Sequence, residues 1–245
     1  MTRDKAMIDL LKSIGIVKGQ VFEPDAATQA ILADAVVEAH AYLDLHYEDV
    51  FVPPFYEDGR WALPAVPEMV EGMPSFFSDP NSYPTDGRAV TYSMAYFSAK
   101  HLGAGRFYLM AIRDKAGQPF DGRATYRLHV PANPPVELYW SATAYDRATH
   151  ALIRDVSHAT RSSQNPDLEA NADGSVDVWF APEPPAGKAR NWVPTRAGSS
   201  FEVAFRVYGP QKELLNRSWV LPDIEKSAEP GTVGVGKPVG QRVKR

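Results

Sequence analysis

The stretch from Tyr139 to Pro222 constrains the fold more than any other part of the chain. Four turn-and-strand signatures follow one another in it: Tyr139-Trp-Ser-Ala-Thr-Ala-Tyr-Asp146, Asn171-Ala-Asp-Gly-Ser175, Asn191-Trp-Val-Pro194 and Arg206-Val-Tyr-Gly-Pro210. Each alternating segment offers a sheet one apolar face, and each Asp-Gly, Gly-Pro or Val-Pro step carries the turn chemistry that ends a strand. Together they specify a β-sandwich.

The two-residue period begins upstream of this run. Phe107 to Arg113 and Ala124 to Val130 read as paired strands around a turn at Lys115-Ala-Gly-Gln-Pro119, and Val136 to Tyr145, Val176 to Phe180 and Phe201 to Tyr208 add three more. Leu152-Ile153 starts a shorter one. Before Arg106 the period is helical. Asp4 to Ile14 spaces Met7, Leu10, Leu11 and Ile14 along a helix and stops at Gly15, while Ala26 to Leu45 forms a longer one capped by Asp25. Seven prolines between Pro53 and Pro84 exclude a long helix or central strand and describe an ordered wrapping loop. Asp86 to Leu102 is helical again, with Asp86 as its N-cap and Gly103 as its stop. Helices first and strands afterwards argue against a parallel βαβ sheet and for an antiparallel sandwich with helical additions. The expected organisation is a helical connector over 1–50, a proline-rich loop and helix over 51–104, the β-sandwich over 105–226 and a flexible tail over 227–245.

Composition narrows the chemistry. The 245 residues contain no cysteine, which removes disulfides, thiol nucleophiles and thiolate metal sites. With 26 basic against 30 acidic residues there is no broad positive field, so nucleic acid is not an expected partner. No apolar run approaches the ~20 residues of a membrane span, and the opening residues have no signal-peptide core, so the default compartment is the cytoplasm.

Several segments carry a family resemblance. They are Tyr83-Pro-Thr-Asp-Gly-Arg88, Ala124-Thr-Tyr-Arg-Leu-His129, the Tyr139–Asp146 run, Asn171–Ser175, Asn191–Pro194, Arg206–Pro210 and the Trp219-x-x-Pro222 ending. In that order they resemble the bacterial domain-of-unknown-function family numbered 1214, over roughly Tyr83 to Lys226. The resemblance implies a jelly-roll-like sandwich with no established cofactor or catalytic residues. Members of that family commonly carry an upstream β domain, numbered 1254, and the Asp4 to Leu45 helices resemble the connector between the two. A separate upstream domain, or a second copy of the chain, is therefore an expected partner in an assembly reading.

Candidate site residues come from the polar sides of the strands. Alternation sends Val136, Leu138, Trp140, Ala142 and Ala144 one way and Glu137, Tyr139, Ser141, Thr143 and Tyr145 the other. Phe201 to Tyr208 splits in the same manner, with Arg206 and Tyr208 on its polar side. If these faces share a concavity with the His158–Ser163 loop and Trp192, they form a groove for a small polar or anionic ligand. Its lining is Tyr139, Ser141, Tyr145, His158, Arg161, Trp192, Arg206 and Tyr208, with arginine forks to hold an anion. The alternative is that both faces simply meet solvent. A hydrolytic variant makes His158 the general base, Asp155 its orienting partner, Ser162 the nucleophile and Arg161 the stabiliser of negative charge. Against it, the Gly-x-Ser-x-Gly elbow is absent and proximity in sequence is not geometry. His40 and Asp44, four residues apart on the second helix, read as a surface pair, with His46 after the helix pointing elsewhere, rather than as metal ligands, and no metal or cofactor is expected. Asn191 and Trp192 read as a loop anchor, with a stacking wall for a ligand as the alternative.

Overall fold

The change of period near Arg106 lies close to a structural boundary. The computed structural model describes residues 5–72, 84–95 and 105–227, and it divides into two units, Met1–Met110 and Ala111–Arg245.

In the first unit, α1 spans Lys5–Ser13 and α2 spans Ala26–Tyr47. Asp25 caps α2 as expected, its Oδ1 accepting the Thr28 N–H at 2.7 Å. A 3-10 turn, Glu48–Phe51, follows directly. The proline-rich segment contains one short helix, α3, at Pro67–Gly72, and a cis bond at Val52-Pro53. The third expected helix forms as α4, Thr85–Ala95, and its continuation to Leu102 lies outside the described residues. Asp86 is not its cap: it sits inside the first turn, and its carboxylate accepts from the Tyr42 hydroxyl on α2 at 2.9 Å. Strand β1, Arg106–Ala111, runs across the unit boundary, with Met110 bridged to Ala62 by paired backbone hydrogen bonds. The unit's buried side chains include Tyr47, Phe55, Trp61 and Phe107.

The second unit holds two sheets. Strands β2 (Phe120–Asp121), β4 (Val136–Asp146), β5 (Thr160–Ser162) and β8 (Ser200–Pro210) belong to the first, where β8 pairs with β2 and β4, and β4 with β5. Strands β3 (Tyr126–Val130), β6 (Val176–Ala181), β7 (Trp192–Pro194) and β9 (Glu225–Lys226) form the second, in the order β7-β6-β3-β9. Phe201 meets Tyr126 and Phe180 at 5.5 and 6.0 Å between ring centres, so the two sheets share one core. Trp140, Ala142, Ala144, Val203, Phe205 and Val207 fill it from one sheet, and Leu128, Val178, Phe180 and Val193 from the other.

Three expectations about this unit are corrected. The sandwich is not wholly antiparallel, because β6 and β7 run parallel. The His158–Ser163 segment is not an irregular loop throughout, since Thr160–Ser162 forms an edge strand on β4. Leu138 does not join the apolar face: the β4–β8 register shifts between Val136 and Tyr139, leaving Leu138 67% exposed. Gly209 stands opposite that bulge at φ +67°, and a Cβ there would lie 2.6 Å from the Glu137 Cβ, so only glycine fits. Leu152 contributes only an isolated bridge to Tyr145.

Candidate functional site

Strand β6 decides where the site lies. Its Val178 and Phe180 are fully buried in the core, so the intervening Asp177 and Trp179 stand on the outer face of the second sheet. Cross-strand register sets Trp179 beside Trp192 of β7 and Arg127 of β3, and Asp177 beside His129. His129 Nδ1 lies 2.8 Å from Asp177 Oδ1. At the far edge, Glu225 accepts from Lys115 at 2.7 Å and from Arg127 at 3.2 Å. The Lys115 hydrogen bond is the main reason that the Glu225 carboxyl is held below its usual range and the Lys115 ammonium above its own.

Two loops fold over this face because one buried amide ties them to β6. Asn191, at the end of the 3-10 turn Ala189–Asn191, accepts the Glu169 N–H at 2.9 Å through Oδ1. Its Nδ2 donates to Glu169 O at 2.7 Å and to Asp177 O at 3.0 Å. Between the loops and the strand lies an open, mainly polar pocket of about 380 Å³. Trp179 and Asn191 form its buried part, Asp177 is a half-buried wall, and Glu169, Ala170, Asn171 and Lys188 are exposed.

The polar groups of the pocket are unevenly satisfied. Glu169 is paired with Arg190 at 2.8 Å, and Asp177 also accepts from Asn171 Nδ2 at 3.3 Å. The turn below is closed by Asp173, whose carboxylate accepts the Ser175 hydroxyl at 2.6 Å and backbone N–H at 3.0 Å; the hydroxyl bond chiefly lowers its pKa. Lys188, by contrast, places its ammonium 5.6 Å from the centre of the Trp179 ring, a cation–π distance. The Trp179 Nε1–H is buried and has no acceptor among the described residues.

The eight residues expected to line one groove do not share one surface: six lie on the two faces of the first sheet, Trp192 is on β7 of the second, and His158 precedes β5 outside any strand. Arg161 is register-paired with Ala142, which faces the core, whereas Arg206 is paired with Ser141, the next residue and therefore on the opposite face. On that opposite face Tyr139 stacks on Tyr208 at 4.3 Å, and Ser141 is buried between Arg206 and Ser162. Arg206 donates to Thr143 Oγ1 at 3.1 Å and to the Tyr145 hydroxyl, with its guanidinium over the Tyr145 ring.

His158, Arg161 and Trp192 come together elsewhere, as a brace behind the pocket loop. His158 donates from Nε2 to Trp192 O at 2.8 Å, and Arg161 Nε donates to the same carbonyl at 3.2 Å. The Trp192 indole donates to Ala181 O at 2.8 Å. The hydrolytic set does not assemble around Ser162. Nδ1 of His158 lies 2.9 Å from Ser157 Oγ, while Ser162 Oγ accepts from the Gln164 N–H at 3.1 Å. The residues missed in the sequence are Glu169, Asn171, Asp177, Trp179 and Lys188 as pocket lining. The signal for two of them was present in the Asp177/Trp179 alternation of β6.

Comparison with known proteins gives a family without an assigned activity. Residues 105–212 match the family described as "Protein of unknown function (DUF1214)", as the motif order implied. No curated protein matches the chain. Among solved structures, a Vibrio parahaemolyticus protein aligns with a TM-score of 0.49 at 17% identity, over 92% of this chain and 51% of its own. An uncharacterised protein from Burkholderia cenocepacia aligns with a TM-score of 0.37 at 16% identity, over 94% of this chain and 52% of its own. The chain thus spans about half the length of either solved chain. No helix among the described residues is long and apolar enough to cross a membrane.

Proposed function

We propose that this chain, which carries a DUF1214 domain over residues 105–212, binds a small polar ligand in the pocket over Trp179. In this reading a jelly-roll-like sandwich serves as a rigid support, and the outer face of its second sheet is the working surface. The observation that carries it is the pocket itself: a strand tryptophan and a locked asparagine at its base, ionisable side chains around them, and a volume of about 380 Å³. That volume belongs to the lower part of the range of small-molecule sites. His158, Arg161 and Trp192, expected to line a groove, act in this reading as positioning residues instead, since they hold the segment that carries Asn191. Arg206, Tyr145, Tyr139, Ser141 and Tyr208 have no part in it, because they lie on the first sheet and none of them lines this pocket. The reading is one of binding rather than hydrolysis, as Ser162 does not meet His158.

The test is a screen of small polar compounds against isotope-labelled protein, following the indole N–H resonances, with Trp179→Phe assigning the relevant one. A compound class that shifts Trp179 in a saturable manner supports the reading. A screen in which no class moves it overturns the reading.

A second reading, docking to another protein, is favoured by one separate observation. Helix α2 buries only Tyr47, while Ile31, Val36, Val37 and Leu45 are 68–71% exposed. Apolar side chains on several sides of a helix are expected in an interior. The occupant in this reading is an upstream domain or a second copy. Light scattering on the chain, alone and with an Ile31→Glu/Val37→Glu variant, tests the second-copy form: a wild-type oligomer that the variant dissociates supports it, and a wild-type monomer overturns it.

A further inference from the structure

We infer that the pocket over Trp179 selects a short carboxylic acid that also carries a hydroxyl or ammonium group. The inference rests on the ligand-binding reading above and adds the ligand's chemistry to it. It follows from which hydrogen-bonding groups of the pocket already have partners.

On the acceptor side the pocket is largely satisfied. Both oxygens of Asp177 are engaged, one by His129 and one by Asn171. Glu169 is neutralised by Arg190. Asn191 spends its carbonyl and both amide hydrogens on backbone groups. The surplus is therefore on the donor side. The Lys188 ammonium has the Trp179 ring as its partner and no carboxylate among the described residues. The Trp179 N–H has no acceptor among the described residues, and a buried donor in that condition gains most from an oxygen supplied from outside. A cation and an N–H at one aromatic ring call for a planar, singly charged oxygen acid.

The charge balance separates carboxylate from phosphate. With Glu169 matched by Arg190, the Asp177 carboxylate still lines the pocket, so the second charge of a dianion would meet repulsion with no further ammonium to offset it, whereas one negative charge is matched by Lys188. The second group of the ligand follows from Asn171, whose side-chain oxygen has no donor among the described residues, beside the half-buried Asp177. Those oxygens accept from a hydroxyl or an ammonium. The indole of Trp219 supplies a useful contrast. Its N–H is likewise buried without an acceptor among the described residues, but it stacks on Phe205 at 6.5 Å and is not among the side chains that line this pocket. Entry requires movement, because the Trp179 N–H is shielded from solvent as the pocket stands. Lys188 is exposed and held by the ring alone, which makes it the side chain able to move.

The experiment titrates the labelled full chain with short hydroxy and amino acids, their own amides, glycerol and inorganic phosphate, reading the Trp179 indole N–H. The acids are expected to shift it and to bind at least about tenfold more tightly than the amides, the worth of one charge-assisted contact. Lys188→Gln is expected to remove that advantage while leaving the remaining spectrum unchanged. Amides or glycerol binding as well as the acids, phosphate binding more tightly than the acids, or an undiminished preference in Lys188→Gln would overturn the carboxylate inference. Each of those results leaves the ligand-binding reading standing. No movement of Trp179 with any probe would overturn both.

Discussion

The outer faces of the two sheets carry similar side chains and treat them in opposite ways. On the first, Arg206 donates to Thr143 and Tyr145, Tyr139 stacks on Tyr208, and Ser141 is buried. On the second, among the described residues, the Lys188 ammonium has the Trp179 ring as its partner and the Trp179 N–H has no acceptor. On the first face the donors of Arg206 are met by neighbouring side chains; the second has, among the described residues, an unmet donor beside an open pocket. Polar alternation in a strand therefore marks a face, and whether that face is also a site depends on what the cross-strand neighbour supplies.

The sharpest way to break this comparison is to remove the amide that builds the pocket. Asn191→Ala leaves the Glu169 N–H, Glu169 O and Asp177 O without their partner, and should cost about 3 kcal/mol in denaturant unfolding and abolish Trp179 shifts by any ligand. If binding survives, the pocket is not held by Asn191. Next in size is Arg206→Ala, expected to cost about 1–2 kcal/mol through its hydroxyl partners while leaving ligand shifts at Trp179 unchanged. A loss of binding in that variant would mean that the two faces are coupled.

Trp179→Phe sharpens the other side. It removes a buried donor that has no acceptor, which offsets the smaller ring, so unfolding should move by less than about 1 kcal/mol in either direction. A large destabilisation would show that the N–H has a partner after all. The smallest effect concerns Glu225. Its carboxyl is held low by Lys115 and then Arg127 in the folded chain, so its contribution is present above the unfolded carboxylate pKa and is lost as pH falls through the folded value. The pair is substantially exposed, which limits that contribution to under about 1 kcal/mol, reduced further by salt. Stability measured from neutral pH downward should show it, and Glu225→Gln should flatten that part of the curve.

Much of the sandwich was legible before the structure. The alternation in Val136–Tyr145 and Phe201–Tyr208 is a property of single strands, and these segments became β4 and β8 almost as read. Leu138 escaped because a bulge is a property of a pair: it appears only when Gly209 is set opposite Glu137. The edge strands β5 and β7 span three residues each, too short for a period to show. Asp86 matched the residue type of a cap, but a one-position difference in helix start placed it inside the turn and gave it to Tyr42. The eight candidate residues were read onto one surface for a related reason. Tyr139, Tyr145, Arg206 and Tyr208 have suitable chemistry in isolation, and nothing local reveals that they answer one another.

Taken alone, the order of residues determined the strand-forming segments, the early helices, the family model that residues 105–212 match and the absence of cysteine chemistry. These depend on local periodicity and composition, which a chain carries whatever it packs against. Tertiary structure decided the parallel β6–β7 pair, the separation of Arg161 from Arg206 and the meeting of Glu169, Asp177, Trp179, Lys188 and Asn191 around one pocket. Hydrogen-bond partners across sheets and loops are set by register, and register is chosen only when both strands are present.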